Sequence, residues 1–282
     1  MREAHSSIQV RASRKKAICI VRHDDAARVQ HDMSGGTQTL DRAIAGLELF
    51  QRDRPEWGAA EVARELGLTL PTTSRLMRAL EANRLLMRVN GRRFRLGFGA
   101  VDLGTRALAS IELREQLRAP LVQLARASGE TTVLGVINEE RDAARVIDRI
   151  EGREMIRITL DIGHTWPLHA GALARVLLAH MPDRDAILEA PLERIGQNTL
   201  TDPDDVRLEL ERIREVGWAE SVQETEGAAW GVAMPVLDDR DLPVCGMLLI
   251  APLQRRSPDH RARLVDHLNE ALPVVRRRLG LG

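Results

Sequence analysis

Aromatic residues are almost missing from this chain of 282 residues, which contains no tyrosine, three phenylalanines and four tryptophans. Aliphatic side chains must therefore fill any hydrophobic core, and an apolar share of 44% is large enough for that. Proteins that bind single-stranded nucleic acid usually stack the bases on aromatic side chains. The composition therefore argues against that class of function.

Cysteine is rarer still, because only Cys19 and Cys245 occur and they lie far apart in the sequence. Without a CxxC spacing, the two thiols predict neither a structural zinc site nor a disulfide framework. Two isolated cysteines are typical of the reducing cytoplasm, where we expect this protein. Cys245 lies in an apolar run and is predicted to be a buried, unreactive thiol.

Long hydrophobic runs and the common catalytic motifs are also lacking. No apolar stretch approaches the length of a membrane span, so we expect no membrane partner. The GxSxG, Walker and GxGxxG patterns do not occur. His164, His169 and His180 do not have the spacing of known metal ligands. The sequence therefore predicts no metal, no cofactor and no enzymatic activity.

The chain does contain a helix-turn-helix pattern between Ala59 and Leu96. A first helix over Glu61–Leu66 is followed by Gly67, which can adopt the positive φ of a helix C-terminus. Thr69 is a predicted N-cap, and Pro71 stands in the first turn of a second helix, where its missing N–H costs nothing. This order of signals predicts two helices joined by a tight turn.

The second helix has the chemistry of a DNA-recognition helix. Leu76, Leu80 and Asn83 repeat at helical spacing and form a narrow stripe that is predicted to be buried. Hydroxyl and guanidinium groups outside this stripe can bind base edges and phosphates in a major groove. The predicted DNA contacts on this helix are Thr72, Thr73, Ser74, Arg75 and Arg78.

A hairpin is predicted directly after this helix. Asn90-Gly91 separates two short runs that carry apolar residues, and this dipeptide is a strong signal for a two-residue hairpin turn. Arg92 and Arg93 follow the turn, at the predicted tip of a wing. We expect both arginines to contact DNA.

The same segment is strongly basic in a chain whose formal net charge is zero. Residues 71–96 contain seven arginines and one glutamate. An arginine-rich helix is often only a solvated face, so the charge by itself is weak evidence. Together with the helix-turn-helix and the wing, it is the electrostatic footprint of a protein that binds double-stranded DNA.

Residues 1–36 do not have the pattern of a folded domain, because they are polar, basic and without sustained periodicity. We expect either a disordered extension or a segment that the native host does not translate. In the second case Met33 is the native start, because the sequence after it, SGGTQTLDRA, is a sensible beginning for a domain.

The rest of the chain is predicted to complete an α+β fold. The DNA-binding domain spans residues 37–97, and residues 98–112 form a linker helix whose apolar side suits packing against a second protomer. In residues 113–282 short strands alternate with helices, which predicts a mixed, largely antiparallel sheet with helices on its faces. Pro120 is expected to kink or divide the first helix of this domain.

Residues 37–282 resemble the IclR family of bacterial transcriptional regulators. The motifs that carry the resemblance are TLDRAIAGLELF, AAEVARELGLTLPTTSRLMRALEANRLL, RFRLG, GHTWPLHAGALARVLLA, WAESVQE, MPVLD and RRRLG. They lie in both domains, in order and at family-like spacing, so the resemblance is specific. It implies a winged helix-turn-helix, a linker helix and a GAF-like mixed α/β effector domain. It also implies a homodimer or a dimer of dimers on a palindromic DNA operator.

The resemblance further implies a small-molecule effector site in the second domain. Residues 168–179 are predicted to be a buried helix whose first N–H groups bind the carboxylate of a small organic acid. At Ser221, Gly231 and Leu248 the family more often has polar residues, so a larger or more apolar effector, such as an aromatic acid, is favoured. The predicted effector-binding residues are Ala172, Leu173, Ser221, Ala229, Gly231 and Leu248.

Two other functions stay open at the level of the sequence. The second domain could be an enzyme or a redox sensor that is tethered to DNA, which would require a perturbed acid–base pair or an activated thiol. The protein could also be an architectural DNA-binding dimer with an empty second domain. We predict a ligand-responsive transcriptional regulator, because the helix that begins in LHAGAL is expected to present free N–H groups to a ligand.

Overall fold

The computed structural model describes residues 10–13, 16–20, 38–109, 112–225 and 227–281. These residues form two compact units, which are described separately below. Most of the predicted extension, residues 1–36, lies outside the described residues. Within it, β1 (Val10–Ser13) and β2 (Lys16–Ile20) pair antiparallel and belong to the C-terminal unit. That the extension is disordered or untranslated stays a prediction.

The N-terminal unit is a winged helix-turn-helix, as predicted. Its elements are α1 (Gln38–Glu48), β3 (Trp57–Gly58), α2 (Ala59–Glu65), α3 (Leu70–Ala82), β4 (Leu86–Val89), β5 (Arg93–Leu96) and α4 (Phe98–Ala109). The three strands form an antiparallel sheet in the order β3-β5-β4. Strand β3 was not predicted, because two residues are too few to show a periodicity.

The two turns of this unit have the backbone geometry that their residues favour. Gly67, between α2 and α3, has a φ of 63°. The Thr69 hydroxyl accepts a hydrogen bond of 3.4 Å from the backbone N–H of Thr72 and so caps α3. At the wing tip, Asn90 and Gly91 have φ values of 50° and 74°, as a type I′ hairpin turn requires.

The buried side of α3 differs from the predicted stripe. Thr73, Met77 and Leu80 are the residues that face the core. Leu76 is only partly buried and Asn83 is exposed. Asn83 is the C-cap, and its side-chain amide donates a hydrogen bond of 2.8 Å to a backbone carbonyl of the preceding turn. The rotation of the helix is therefore not the one that Leu76, Leu80 and Asn83 predicted.

The C-terminal unit is a sheet with helices on both faces. Its elements are α5 (Glu112–Ser128), β6 (Thr131–Ile137), β7 (Ala143–Ile150), β8 (Ile158–Thr159), β9 (Thr165–Pro167), α6 (Ala172–Leu178), α7 (Arg184–Leu188), α8 (Pro203–Val216), β10 (Ala219–Val222), β11 (Ala229–Leu237), β12 (Pro243–Pro252), a 3-10 turn (Leu253–Arg255) and α9 (Pro258–Arg278). Six strands form an antiparallel sheet in the order β10-β11-β12-β6-β7-β9, while β8 pairs parallel with β2. The predicted α+β fold class is confirmed. No helix in the described ranges is both long and apolar enough to cross a membrane.

Two predictions about the helices of this unit need correction. Helix α5 runs through Pro120 without a break, because Leu117, Leu121 and Leu124 are buried on either side of the proline and hold both halves in place. Of the two predicted effects of Pro120, division of the helix is therefore wrong, and a kink stays a prediction. Helix α6 is shorter than predicted, since it begins only after Gly171, whose φ of 84° is incompatible with a helix.

Helix α6 packs on the sheet through the side chain of Leu173. A Cβ on Gly135 would lie 2.6 Å from Cδ2 of Leu173, and one on Gly246 would lie 2.7 Å from Cδ1. The two glycines are opposite each other on β6 and β12. Leu173 therefore fills the space that their missing side chains leave. The opposite face of the sheet carries α9, whose His260 ring meets Trp230 of β11 with a centroid distance of 5.5 Å.

Replacing Gly246 by Ala should lower the free energy of unfolding of the C-terminal unit by about 1–3 kcal/mol. The added methyl group would displace Leu173, which cannot retreat because its other methyl group already lies on Gly135. Denaturant unfolding followed by circular dichroism measures this loss. The matched control is Gly227→Ala, whose methyl group would meet no atom within 4 Å. Equal stability of the two variants would contradict the packing described here.

Candidate functional site

Four of the five predicted DNA contacts on α3 lie on its accessible side. Arg75 and Arg78 are exposed, while Thr72 and Ser74 are half-buried. The Arg78 guanidinium donates a hydrogen bond of 3.2 Å from Nε to the carbonyl of Ser74. The Thr72 hydroxyl lies 2.9 Å from that of Thr69. Hydroxyl and guanidinium groups are therefore presented together on the accessible side of this helix.

Thr73 is the exception, and its predicted contact with DNA has to be corrected. Its side chain is fully buried, and its hydroxyl donates a hydrogen bond of 3.2 Å to the carbonyl of Thr69. Thr73 stands four residues before Met77 on the buried side of α3. It is a core residue, and the neighbouring Thr72 and Ser74 are the hydroxyls that remain accessible.

The two arginines at the wing tip have different environments. Arg92 is exposed and has no hydrogen bond or ion pair within the described part of the chain. Arg93 is half-buried, and its Nη2 donates a hydrogen bond of 2.7 Å to the carbonyl of Glu56. The same nitrogen lies 3.2 Å from Oε2 of Glu61. The guanidinium of Arg93 thus serves the protein itself, and Arg92 is the one that is available to a phosphate.

Three of the seven arginines in the basic segment are paired with carboxylates. Arg84 lies 3.5 Å from Asp102, Arg88 lies 2.9 Å from Glu81, and the third is Arg93. The other four are exposed and make no ion pair with any described residue. These four are Arg75, Arg78, Arg92 and Arg95. The free positive charge of this segment is therefore smaller than the sequence count suggests.

In the C-terminal unit, the predicted effector residues meet on the face of the sheet that α6 covers. Ala172, Leu173, Ala229 and Leu248 belong to one buried cluster. Ser221 is half-buried and lies opposite Gly231 in the pairing of β10 with β11. The six positions are thus brought together by α6 and three neighbouring strands, although they are distant in sequence.

Two of these positions depend on each other. A Cβ on Gly231 would lie 2.8 Å from Cδ1 of Leu248 and 2.9 Å from the carbonyl of Leu249. The Leu248 side chain therefore occupies space that a side chain at position 231 would need. The two positions are therefore sterically coupled. The surface next to α6 is apolar as a result.

The start of α6 already has a carboxylate beside it, which belongs to Glu224. The N–H of Gly171 donates a hydrogen bond of 3.2 Å to Oε2 of Glu224. The buried guanidinium of Arg175 binds the same carboxylate, with Nη2 at 2.8 Å from Oε1. Glu224 thus lies beside the N–H of Gly171, immediately before the N–H groups of Ala172 and Leu173 that are predicted to bind an effector. Arg175 and Glu224 are 49 residues apart, and nothing in the sequence pattern indicates that they pair.

The loop before α8 holds Glu224 from the other side. The Thr199 hydroxyl donates a hydrogen bond of 2.5 Å to the backbone carbonyl of Glu224. A Cβ on Gly196 would lie 2.6 Å from the carbonyls of Gln223 and Glu224, so only glycine allows this close approach. Segment 223–224 is therefore fixed between α6 and this loop.

The comparisons with known proteins agree with this architecture. The family model described as Bacterial transcriptional regulator IclR C-terminal matches residues 105–275, and the model of the IclR helix-turn-helix domain matches residues 39–89. The glycerol operon regulatory protein of Streptomyces coelicolor is 30% identical over 254 residues, which cover 89% of this chain and 99% of that protein. The chain belongs to the IclR family.

Solved structures of IclR proteins are similar along almost the whole chain. An IclR transcriptional regulator from Alicyclobacillus acidocaldarius has a TM-score of 0.75 at 24% identity, and the match covers 86% of this chain and 99% of that one. An IclR homolog from Microbacterium hydrocarbonoxydans, crystallised with 4-hydroxybenzoate, has a TM-score of 0.73 at 25% identity, with 86% and 98% covered. This chain is thus an IclR-type transcriptional regulator with a DNA-binding helix-turn-helix and a C-terminal effector domain.

The cysteine in the effector domain of this IclR protein is not an activated thiol. Cys245 is fully buried in β12, as predicted, and burial raises its pKa to about 12. A thiol with such a pKa carries almost no thiolate at neutral pH, and thiolate is the reactive form. A redox sensor or nucleophile at this position is therefore disfavoured.

The histidine that precedes α6 is buried and neutral. His169 is 3% exposed, and its Nε2 lies 2.9 Å from the carbonyl of Glu193. Burial lowers its pKa below the ordinary value of 6.5, and the nearby charge of Arg175 acts in the same direction. Protonation at this position would add a second positive charge close to Arg175 in a buried site. The histidine therefore contributes to stability in its neutral form.

The free energy of unfolding should decrease as the pH falls through 6.5, because the unfolded chain takes up a proton there and buried His169 does so only at lower pH. The His169→Gln variant lacks this contribution. Its stability relative to the wild type should therefore improve between about pH 8 and about pH 5.5. Urea unfolding at a series of pH values measures the difference. A difference that does not change with pH would contradict the neutral, buried state.

Proposed function

We propose that the protein acts in the cytoplasm and binds a palindromic operator as a dimer or a dimer of dimers. In this proposal its affinity for DNA changes when the C-terminal domain binds a small, largely apolar organic acid. The observation that carries the DNA part is the group of four exposed arginines without ion pairs on α3 and the wing. Their position on a winged helix-turn-helix is what a protein needs to contact bases and phosphates together.

The exposed groups on α3 and on the wing have separate roles in this proposal. Ser74, Arg75 and Arg78 follow the N-terminus of α3, which is the end of a recognition helix that contacts base edges. A guanidinium can bind guanine with two hydrogen bonds, and this type of contact carries sequence information. Arg92 and Arg95 lie on the hairpin and bind phosphates, which positions the protein without reading the sequence.

The proposal of a dimer is supported by the linker helix α4. Phe98, Val101 and Leu103 are 71%, 59% and 55% exposed on this helix. Exposed apolar side chains of this size on one helix usually mark an interaction surface. We assign the surface to a second copy of the chain, because a two-fold operator requires a two-fold protein.

The effector we propose is an aromatic or similarly apolar acid. Leu248 and Gly231 form an apolar surface next to α6, and such a surface favours an apolar ligand. The structural relative that is crystallised with 4-hydroxybenzoate supports this class of compound. The effector changes DNA binding only if its affinity differs between two arrangements of the dimer.

Variants of Arg75 and Arg92 should separate base contacts from phosphate contacts. Arg75→Ala should cost about 1–3 kcal/mol of binding to the operator and less on unrelated DNA. Arg92→Ala should weaken binding to all DNA similarly and lower the salt slope by about 1. Fluorescence anisotropy on both kinds of DNA measures these effects. Equal, sequence-independent losses in the two variants would contradict the division of roles.

Leu248→Ser should bind aromatic acids more weakly, because the ligand would lose an apolar contact worth up to about 2 kcal/mol. Isothermal titration with 4-hydroxybenzoate and a panel of related acids measures the affinity. Leu208→Ser is the matched control, since Leu208 is 73% exposed on α8. If Leu248→Ser keeps the wild-type response to every acid in the panel, the proposed position of the ligand is wrong.

A further inference from the structure

Each strand of the wing is bound to the helix-turn-helix by one carboxylate. Glu61 of α2 binds β5 through Arg93, with 3.2 Å between Oε2 and Nη2. Glu81 of α3 binds β4 through Arg88, whose Nε lies 2.9 Å and 3.1 Å from the two carboxylate oxygens. The two pairs use different helices and different strands. The two ion pairs are therefore independent of each other. Arg93 is in addition bound to Glu56, through its carbonyl at 2.7 Å and its carboxylate at 3.7 Å.

The Glu61 contact is part of a larger local network. Its Oε2 accepts a hydrogen bond of 2.7 Å from the N–H of Gly58, which is the N-cap of α2. Its Oε1 accepts one of 2.8 Å from Arg54, and the Arg54 guanidinium carbon lies 3.4 Å from the ring centroid of Trp57. These contacts orient the carboxylate that binds Arg93. Gly58 is also the β3 partner of Arg93, so backbone and side chain connect the same two elements.

The Glu81 contact extends from the recognition helix to the wing turn. Besides binding Glu81, Arg88 donates a hydrogen bond of 3.2 Å from Nη1 to the carbonyl of Gly91. Its guanidinium carbon lies 4.9 Å from the ring centroid of Phe94, which is buried beneath the hairpin. Arg88 thus connects α3 with the residue that immediately precedes Arg92.

We propose that Glu61 and Glu81 are positioning residues for DNA binding, which hold the wing so that Arg92 meets a phosphate while α3 contacts the bases. This inference rests on the proposed phosphate contact of Arg92. It assigns a function to the two carboxylates, which by their charge alone should oppose binding to DNA. It also explains why Arg88 and Arg93, although basic and next to the turn, are not themselves free for phosphate.

The sign of the expected effect distinguishes positioning from simple electrostatics. Removing a negative charge from a DNA-binding surface strengthens binding when only long-range electrostatics acts. Removing Glu61 and Glu81 should instead weaken binding, because the hairpin then samples orientations in which Arg92 misses the phosphate. Glu65→Gln is the matched control. Glu65 is an exposed carboxylate at the end of α2 with no ion pair among the described residues, so its removal should strengthen binding slightly.

The experiment is a double-mutant cycle on the full-length protein with its operator. Arg92→Ala is made in the wild type and in the Glu61→Gln, Glu81→Gln background, and affinity is measured over a range of salt concentrations. In the wild type, Arg92→Ala should lower the salt slope by about 1. In the background variant, which should bind several-fold more weakly than Glu65→Gln, Arg92→Ala should have almost no further effect. Thermal unfolding of each variant checks that the domain is folded.

A charge exchange gives a second, independent test. The variant with Glu81→Arg and Arg88→Glu keeps the net charge and can restore an ion pair between α3 and β4. In this variant Arg92→Ala should again weaken DNA binding and lower the salt slope. If the substitutions at Glu81 and Arg88 acted only by destabilising the domain, the exchange would not restore this effect of Arg92→Ala. Glu81→Arg alone and Arg88→Glu alone should each bind DNA less tightly than the variant that carries both substitutions.

The possible failures are distinguishable. If Arg92→Ala has no effect in the wild type, the proposed phosphate contact is wrong and the inference fails with it. If Arg92→Ala weakens the wild type and the Glu61→Gln, Glu81→Gln background equally, only the positioning role is wrong. The same conclusion follows if the background variant binds DNA as tightly as Glu65→Gln.

Discussion

The burial of Thr73, Met77 and Leu80 sets the rotation of α3, and the DNA-binding face depends on that rotation. Successive residues of an α-helix are about 100° apart, so fixing one side of α3 determines which side chains point outward. Arg75 and Arg78 fall on the exposed side for this reason. The cap at Thr69 satisfies a backbone N–H at the end of the helix that approaches DNA.

Two carboxylates, Glu61 and Glu81, determine which arginines of the wing are free to bind DNA. Arg88 and Arg93 neutralise Glu81 and Glu61 and hold the hairpin, whereas Arg92 stays exposed between them in sequence. Counting arginines therefore overestimates the contacts with phosphate. Four free arginines per domain correspond to a salt slope of about −4, and seven would correspond to about −6.

Much of the fold was predictable because its signals are local. The Asn90-Gly91 turn, the cap at Thr69 and the positive φ of Gly67 each depend on neighbouring residues, and all three were predicted correctly. The buried side of α3 was harder to predict. Leu76 and Thr73 precede Leu80 by four and seven residues, and both intervals place a residue on the same side of a helix as Leu80. Only the packing of α3 against the rest of the domain decides which of the two is buried. Arg93 could not be assigned for a related reason, since its partner Glu61 lies 32 positions away and is found only by folding.

In the effector domain, too, contacts between residues that are distant in sequence could not be predicted. A mixed, largely antiparallel sheet was predicted from short strands alternating with helices, and the six-stranded sheet agrees with it, but the order of its strands was not predicted. The pair of Arg175 and Glu224 and the contact of Leu173 with two glycines are non-local. A resemblance to a family can place the effector positions in one region. It does not show that a carboxylate of the protein already lies beside the start of α6.

The most direct test of the central claim is a gel-shift experiment with the DNA upstream of the protein's own gene, repeated with a panel of aromatic and small carboxylic acids. A ligand-responsive regulator predicts specific retardation at low salt that one class of acid changes, with apolar acids acting more strongly than glyoxylate or pyruvate. Retardation that no acid changes would contradict the proposed effector class. The absence of specific binding at low salt would contradict the operator-binding role itself.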